Sequence, residues 1–325
     1  MIEQIIPGLW RIEVPLPNNP LRSINSYVIK GDGRFLIIDT GMNVKESIAA
    51  LTAGLKTLEV DLERTDFFIT HLHHDHMGLL STLITERSKV YFNQPEMAVL
   101  MELTDNKRWM RHLNTYPAHG FPLDKFKVLI AAGTANMYGP SMPKDFIVMK
   151  DGDYLVIGDF HLRCIWTPGH SPGHICLYEE NKKILFSGDH ILFDITPHIS
   201  YWYELDNSLG KYLESLDKIY SLDVELVLPG HRKRRDNQRA RIKELHAHHD
   251  NRLREISAVL EDGENNAYYV ASRITWEIAT KKWEHFPGTQ KFFAVGETIA
   301  HLDYLVVENK VKKRSVDGKI LYRLS

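Results

Sequence analysis

One segment constrains this chain more than any other: the run from Thr70 to His76, with the sequence THLHHDH. It directly follows the apolar residues 67–69, which predict a buried strand that ends at the run. Clustered imidazoles repel one another once protonated, and a carboxylate among them costs solvation free energy unless a cation neutralises it. A divalent metal ion removes both penalties. The run therefore predicts a metal site at the end of a strand.

Three further candidate ligands follow the run, each at the end of its own apolar segment. His170 ends the sequence TPGH, Asp189 ends FSGD, and His231 ends LPGH. Chance rarely places three isolated metal-binding groups in this way. The sequence therefore favours one site that is assembled from all four segments.

Taken in order, the patterns T-H-x-H-x-D-H, T-P-G-H, S-G-D and P-G-H resemble those of the metallo-β-lactamase superfamily, in its glyoxalase II-like branch. The resemblance covers roughly residues 1–235. It implies an α+β fold, the four-layer αβ/βα sandwich of that superfamily, with metal ions bound at the sheet edge where the loops gather. It also implies an enzyme, a metal-dependent hydrolase.

The resemblance implies a ligand set, and the spacing of two of its histidines agrees with it. His71 and His73 are two residues apart at a strand end, so both side chains can project toward one point. The predicted ligands are His71, His73 and His170 for one ion, Asp75, His76 and His231 for a second, and Asp189 as the bridge between them. Nitrogen and oxygen donors with an open position suit two Zn²⁺ ions, and iron or manganese also fits.

Two more residues are predicted to support these ligands. Asp39 ends an apolar strand, and the resemblance implies that it accepts a hydrogen bond from a ligand histidine, which would fix the tautomer of that histidine. The alternative is that Asp39 only forms a turn. The resemblance places His174 near the metal ions but outside the ligand set, and His74 and His190 are also predicted to be non-ligands.

The chemistry expected of such a site is hydrolysis. Two divalent ions lower the pKa of a shared water molecule toward neutrality, so a metal-bound hydroxide becomes available to attack a carbonyl carbon or a phosphorus. Asp75 is the predicted catalytic carboxylate, because it could orient that hydroxide and pass a proton to the leaving group.

The chain is predicted to divide into two domains. Residues 1–240 would form the catalytic domain, with a helical insertion at about 94–140, and residues 241–325 a small C-terminal domain. Helices followed by a terminal hairpin around the turn 316–318 resemble a winged helix. Among the catalytic-domain helices, one is predicted at about 44–58 and another at about 77–86.

The first substrate hypothesis is a small carbonyl ester, either a thioester or a lactone. The insertion would cap the site and offer pocket candidates, which are Trp109, Arg111, His112, Tyr116 and His119. The alternative is that these side chains only pack the helices of the insertion. Glutathione is not implied, because the C-terminal unit differs from that of glyoxalase II.

Three other interpretations remain open. A phosphodiesterase or endoribonuclease could use the same metal site, since residues 232–254 hold nine Lys and Arg against three acidic residues. A basic helix can equally be a solvated face. A DNA-binding module would use the wing residues Lys312, Lys313 and Arg314, but an intact ligand set argues against it. A β-lactamase is less favoured, because those enzymes typically lack the bridging carboxylate.

Composition excludes several partners. The chain has 40 basic and 42 acidic residues, which argues against a dedicated nucleic-acid or membrane-surface protein. It contains no run of eighteen apolar residues, so no membrane span is expected. The sequence thus predicts a cytoplasmic enzyme with a small-molecule substrate. RNA as a partner and a homodimer stay open.

Overall fold

The computed structural model describes residues 1–104, 107–125, 145–277 and 282–325, with side chains given for all of these except 103, 104 and 107–110. The first sheet of this described part follows chain order through β1 (Ile2–Ile6), β2 (Leu9–Pro15), β3 (Ser23–Lys30), β4 (Phe35–Ile38), β5 (Thr65–Phe68), β6 (Val90–Phe92) and β7 (Ile147–Val148). Strands β1 to β4 pair antiparallel, and β4 to β7 pair parallel.

The second sheet is built from the later part of the chain. Its strands are β8 (Tyr154–Ile157), β9 (Phe160–Trp166), β10 (Ile175–Glu179), β11 (Ile184–Gly188) and β12 (Leu226–Pro229). They pair antiparallel except for β11 and β12, which are parallel. Strands β10 and β11 are buried along their whole length, as expected for strands covered on both faces.

Helices cover the outer face of each sheet. Helix α1 (Lys45–Thr57) packs on the first sheet through Leu51 and Leu55, and α6 (Ser208–Tyr220) packs on the second through Leu209 and Leu216. Between the sheets lies a core that takes residues from both, such as Phe68 and Phe186. The predicted four-layer sandwich is therefore confirmed.

The helix predicted at 77–86 is wrong. The structure has two single turns instead, α2 (His74–Met77) and α3 (Leu80–Leu83). The backbone N–H of Leu79 donates to Gly41 O at 2.9 Å rather than to a carbonyl of the preceding turn. This contact with a neighbouring loop interrupts the helix just after the metal-site residues.

The insertion starts with α4 (Gln94–Thr104) and α5 (Lys107–Ala118). The predicted stretch from 126 to 140 lies outside the described residues. The side chains of Tyr116 and Phe121, just before and after the end of α5, pack in the core of the C-terminal unit. The insertion therefore connects the two parts of the chain.

The C-terminal unit contains α8 (Ala267–Arg273), α9 (Gly288–Val307) and a hairpin of β13 (Val311–Val316) and β14 (Lys319–Leu324). Helix α7 (Gln238–Glu261) precedes it and contributes to two cores. Its first half buries Ile242 and Leu245 against the second sheet, and its second half buries Ile256 and Leu260 in the C-terminal unit. The winged-helix assignment and the boundary at 240 stay predictions.

Two 3-10 turns complete the described elements, at Leu62–Arg64 and Trp283–His285. Among the helices that the structure describes, none combines the length and the hydropathy needed to cross a bilayer.

Candidate metal centre

Four loops meet at one edge of the sandwich, and each carries predicted ligands. The His cluster follows β5, His170 lies between β9 and β10, Asp189 follows β11, and His231 follows β12. Because β11 and β12 are parallel, their carboxyl ends emerge at the same edge. The two sheets are joined there by a hydrogen bond from the Ile175 N–H to Thr70 O at 3.0 Å.

Three imidazoles form the first group of donors. His73 Nδ1 lies 2.9 Å from His71 Nε2 and 3.0 Å from His170 Nε2. The three ring nitrogens face the same small volume, so they cannot all satisfy one another's hydrogen-bonding capacity. A cation held by all three lone pairs removes the conflict.

A second group of donors lies beside the first. His76 Nε2 is 3.3 Å from His231 Nε2, which is 3.4 Å from Asp75 Oδ2. Asp189 lies between the groups: its Oδ1 is 3.5 Å from His76 Nε2, and its Oδ2 is 3.6 Å from His170 Nε2. The carboxylate therefore faces donors of both groups.

The predicted ligands come together as three overlapping sets whose donor atoms lie within 4.8 Å of one another. These sets are His71, His73 and His170; His71, His76 and Asp189; and Asp75, His76 and His231. Asp189 Oδ1 is buried and has no hydrogen-bond partner among the described residues. A buried carboxylate oxygen without a donor fits a bound cation, so the residues present suit a pair of divalent ions.

The far ring nitrogens of the ligands are held by hydrogen bonds. His71 Nδ1 lies 3.0 Å from Thr70 Oγ1, His170 Nδ1 lies 2.8 Å from His198 O, and His231 Nδ1 lies 2.8 Å from Ser23 O. A carbonyl can only accept, so at least His170 and His231 carry their proton on Nδ1 and present Nε2 to the centre. Such contacts fix the tautomer and orientation of a metal ligand.

Asp39 performs the same task for His76. Its Oδ2 lies 2.8 Å from His76 Nδ1, and the carboxylate also accepts hydrogen bonds from Thr70 N and Thr70 Oγ1, both at 2.8 Å. The structure thus places Asp39 where a tautomer-fixing carboxylate is needed, at a left-handed position with φ of 57°.

His174 supports the site through Asp189. The Asp189 N–H donates to His174 Nε2 at 3.1 Å, and His174 Nδ1 faces Thr167 Oγ1 at 2.8 Å. The lone pair that a metal ion would need is therefore already engaged. His74 and His190 are likewise outside the three sets of donors found among the described residues.

Two glycines make this close packing possible. At Gly188, where φ is 47°, a Cβ would lie 2.6 Å from His174 Nε2, and at Gly230 a Cβ would lie 2.6 Å from Asp189 Oδ1. Neither position leaves room for a side chain. The glycines of the S-G-D and P-G-H motifs are therefore part of the site.

The charges of the two groups differ. Burial and the neighbouring imidazoles hold the pKa values of His71 and His73 well below the ordinary value. Burial also opposes protonation of His231, but Asp189 and Asp75 outweigh it and raise its pKa to about 10. In the metal-free site, the first group is thus neutral and ready to bind a cation, whereas His231 must release a proton.

The pocket candidates from the insertion lie mainly against other parts of the chain. Tyr116 stacks on Phe292 with ring centroids 4.5 Å apart, and His119 stacks on Tyr322 at 5.8 Å. The structure therefore brings Tyr116 and His119 to the C-terminal unit rather than to the metal centre. His112 is buried, with its Nδ1 3.2 Å from Tyr203 Oη.

Of the remaining candidates, Arg111 forms ion pairs with Glu102 at 2.9 Å and Glu204 at 3.4 Å. The side chain of Trp109 lies outside the described part of the structure.

Sequence reasoning missed the segment 198–203, which lies beside the first group of donors. Trp202 stacks on His73 with centroids 6.1 Å apart, and its Nε1–H donates to His170 O at 3.1 Å. His198 accepts the His170 hydrogen bond through its backbone and contacts Glu297 of α9 through its ring, with Nδ1 and Oε2 3.1 Å apart. The aromatic residues of this segment were its only visible signal.

The basic run after His231 is largely engaged within the chain. Arg234 pairs with Glu3 at 3.0 Å, and Arg235 pairs with Asp194 at 2.8 Å. Arg232, Arg239 and Arg241 each donate to backbone carbonyls. These contacts give the run a structural role in fastening the start of α7.

The family of the chain follows from comparison with known proteins. Residues 19–231 match the metallo-beta-lactamase superfamily, and residues 285–325 match the metallo-beta-lactamase-like C-terminal domain. The chain belongs to the metallo-β-lactamase superfamily, and the predicted class of enzyme, a metal-dependent hydrolase, is confirmed. The glyoxalase II-like branch stays a prediction.

Curated relatives are similar at moderate identity. The lactamase-like protein adaB from Aspergillus niger is 28% identical over 80% of this chain, which spans 66% of that protein's length. The probable metallo-hydrolase YqjP from Bacillus subtilis is 27% identical over 92% of both chains. The acyl-coenzyme A thioesterase MBLAC2 from Homo sapiens is 27% identical over 64% of this chain and 72% of its own length.

Solved structures match nearly the whole chain. The metallo-beta-lactamase family protein TTHA1429 from Thermus thermophilus has a TM-score of 0.79 and 27% identity, covering 99% of this chain and 100% of its own. A beta-lactamase domain protein from Burkholderia ambifaria has a TM-score of 0.80 and 25% identity, covering 99% and 94%. The arrangement of sandwich and C-terminal unit thus recurs in experimental structures.

Proposed function

We propose that this chain hydrolyses an acyl thioester with two divalent metal ions, most suitably Zn²⁺. The observation that carries the proposal is the position of Asp189, whose two oxygens face imidazoles of both donor groups. A carboxylate in that place can be shared by two cations. The thioester is favoured because MBLAC2, a similar protein, is named an acyl-coenzyme A thioesterase.

The ions would be held by the residues already described. His71, His73 and His170 would hold one, Asp75, His76 and His231 the other, with Asp189 shared. Bound there, two divalent cations supply polarisation of the thioester carbonyl and a water molecule that ionises near neutral pH. Zinc is the proposed metal because nitrogen-rich donors completed by a carboxylate, with one position open, suit it; iron, which imidazole also binds, and manganese are the alternatives.

The remaining chemistry belongs to the protein. The Asp75 carboxylate, whose Oδ2 lies 3.4 Å from His231 Nε2, can orient the attacking water and accept its proton. The leaving thiolate needs little help, because a thiol has a pKa of about 8.5. A thioester therefore suits a site in which the five predicted ligand histidines would bind metal and His174 is engaged in hydrogen bonds.

A phosphodiesterase or ribonuclease with the same centre is the weaker alternative. Its main support was the basic run at the start of α7, and the contacts of Arg234 and Arg235 with Glu3 and Asp194 reduce the charge available to phosphates. The substrate is therefore proposed to be a small molecule, with RNA as the alternative to be tested.

A panel of substrates on metal-loaded protein tests the proposal. We expect acyl-coenzyme A thioesters, followed by release of free thiol, to be hydrolysed faster than a lactone, nitrocefin or bis(p-nitrophenyl) phosphate. Asp189→Ala and His73→Ala should lose hydrolysis and metal loading together. His161→Ala, which removes an exposed histidine of β9, is the matched control and should retain both.

Two results would overturn the proposal. Full thioesterase activity in metal-free protein would remove the metal ions from the reaction. Salt-sensitive cleavage of RNA or of the phosphodiester, at a rate far above that of every thioester, would replace the substrate class.

A further inference from the structure

Glu96 is a buried carboxylate that contacts two ligand loops at once. It lies in the first turn of α4 and is fully buried. Its Oε2 accepts a hydrogen bond from the Leu72 N–H at 2.8 Å, and its Oε1 accepts one from the Gly173 N–H at 2.5 Å. Each oxygen therefore holds the backbone of a different loop.

The two amides belong to the segments that carry the first donor group. Leu72 lies between His71 and His73, and Gly173 lies between His170 and His174. The first loop follows β5 of one sheet, and the second joins β9 and β10 of the other. One side chain thus ties together the loops that deliver all three nitrogens of the first donor group.

Neighbouring residues strengthen this connection. Asn93 Nδ2 donates to Gly173 O at 2.9 Å, so both backbone polar groups of Gly173 are held from the start of α4. A Cβ at Gly173 would lie 2.8 Å from Glu96 Cγ, which only glycine avoids. The contact is therefore close enough to set the distance between the loops.

The chemistry of the side chain matters as well. A carboxylate accepts at both oxygens, whereas a glutamine amide offers one acceptor and would direct its NH₂ group at a backbone N–H. Burying a charge is costly unless hydrogen bonds compensate it, and the two amides together with the helix N-terminus provide that compensation. A residue that served only to fill space would not need this charge.

We propose that Glu96 is a positioning residue for the metal centre. By holding the Leu72 and Gly173 amides, it sets the 3.0 Å spacing of His73 Nδ1 and His170 Nε2, and through that spacing the affinity of the first donor group for its ion. The inference rests on the proposed metal centre but not on the identity of the substrate.

The test is a metal titration of Glu96→Gln in competition with a chromophoric chelator. We expect one of the two ions to bind about 10- to 100-fold more weakly, which is the usual effect of losing a residue that orients metal ligands. The absorption spectrum of the Co²⁺-loaded variant should also change, because it reports the ligand geometry.

Glu179→Gln is the matched control. Glu179 is equally buried and accepts a backbone hydrogen bond from Lys182, but it lies at the opposite end of β10 from His174. This variant should lose stability while binding both ions normally. Gly173→Ala approaches the same contact from the other side and should reproduce the weakened binding if Glu96→Gln folds poorly.

Wild-type affinities and an unchanged Co²⁺ spectrum in folded Glu96→Gln or Gly173→Ala would overturn the inference, since Glu96 would then serve stability alone. The titration needs no substrate. The metal affinities of the variants would therefore still test the role of Glu96 if the thioesterase proposal failed.

Discussion

Replacing Asp39 with asparagine tests how the site controls the tautomer of His76. The carboxylate accepts three hydrogen bonds, with Oδ1 facing the Thr70 N–H and Oδ2 facing Thr70 Oγ1 and His76 Nδ1. Asparagine has one acceptor oxygen. If that oxygen faces His76, the NH₂ group meets the Thr70 N–H. If it faces the Thr70 N–H, the NH₂ group favours a His76 ring protonated on Nε2, which cannot bind metal.

The size of the effect follows from these contacts. Leaving one buried donor unsatisfied costs about 1–3 kcal/mol, so we expect the free energy of unfolding of the metal-free protein to fall by that amount. Losing the group that orients a ligand weakens metal binding about 10- to 100-fold.

A second effect partly offsets the loss of affinity. Burial opposes protonation of His76, but Asp189 and Asp39 outweigh it and raise its pKa well above the ordinary value. Without the Asp39 charge this pKa falls, and protons compete less with the metal ion. We therefore expect a net loss in affinity of about tenfold, the low end of the usual range.

Chelator competition and urea unfolding of the same preparation measure both quantities. Asp66→Asn is the matched control, because Asp66 is also a buried carboxylate that accepts a backbone hydrogen bond, from the Lys89 N–H at 2.9 Å, but at the other end of β5. It should lose stability without losing metal affinity. Unchanged affinity in Asp39→Asn, or equal losses of affinity in both variants, would refute the tautomer argument.

Three further predictions concern protons and the C-terminal unit. Since the pKa of His231 is about 10 in the metal-free site, binding of the metal ions at pH 7.5 should release about one proton or more. The binding enthalpy measured by calorimetry should therefore depend on the buffer, and an enthalpy that is the same in every buffer would contradict this. Glu297→Gln removes the carboxylate charge that faces His198 at 3.1 Å and Arg252 at 3.5 Å, and leaves only one of the two acceptor oxygens. We expect the free energy of unfolding to fall by about 1–3 kcal/mol, and an unchanged midpoint in urea would contradict this. Burial lowers the pKa of His301 to about 4, so between pH 6.5 and 4 the unfolded chain binds more protons than the folded chain. The free energy of unfolding should therefore fall by up to about 3 kcal/mol as the pH drops through that range. His301→Gln should flatten this dependence, and an equally steep curve would assign it to other groups.

Much of the sandwich could be predicted because its signals are local. The helix predicted at about 44–58 is observed at Lys45–Thr57, within about a residue at each end. Apolar runs and turn residues determine such elements from their own sequence. The candidate ligands could be found for the same reason, since each one ends such a run.

The rest depends on contacts between distant segments. Glu96 has no motif of its own, and its role arises only from its contacts with the loops of Leu72 and Gly173, the latter 77 positions away along the chain. The break between α2 and α3 depends on Gly41, which lies far upstream. The sequence of the insertion does not indicate which surface its aromatic side chains cover. Tyr116 packs on the C-terminal unit because it stacks on Phe292, a residue far along the chain.

The helix α7, which begins on the sandwich and ends inside the C-terminal unit, has a consequence for how such proteins can be cut and recombined. C-terminal units could be exchanged between relatives by joining the two chains at a chosen position. A junction anywhere from 242 to 260 would divide α7, so that the apolar side chains of each half would meet a core from the other parent. Chimeras should therefore tolerate a junction before Gln238, so that the whole of α7 comes from the same parent as the C-terminal unit. The side chains of α7 that face the sandwich would then have to be matched to the sandwich of the other parent.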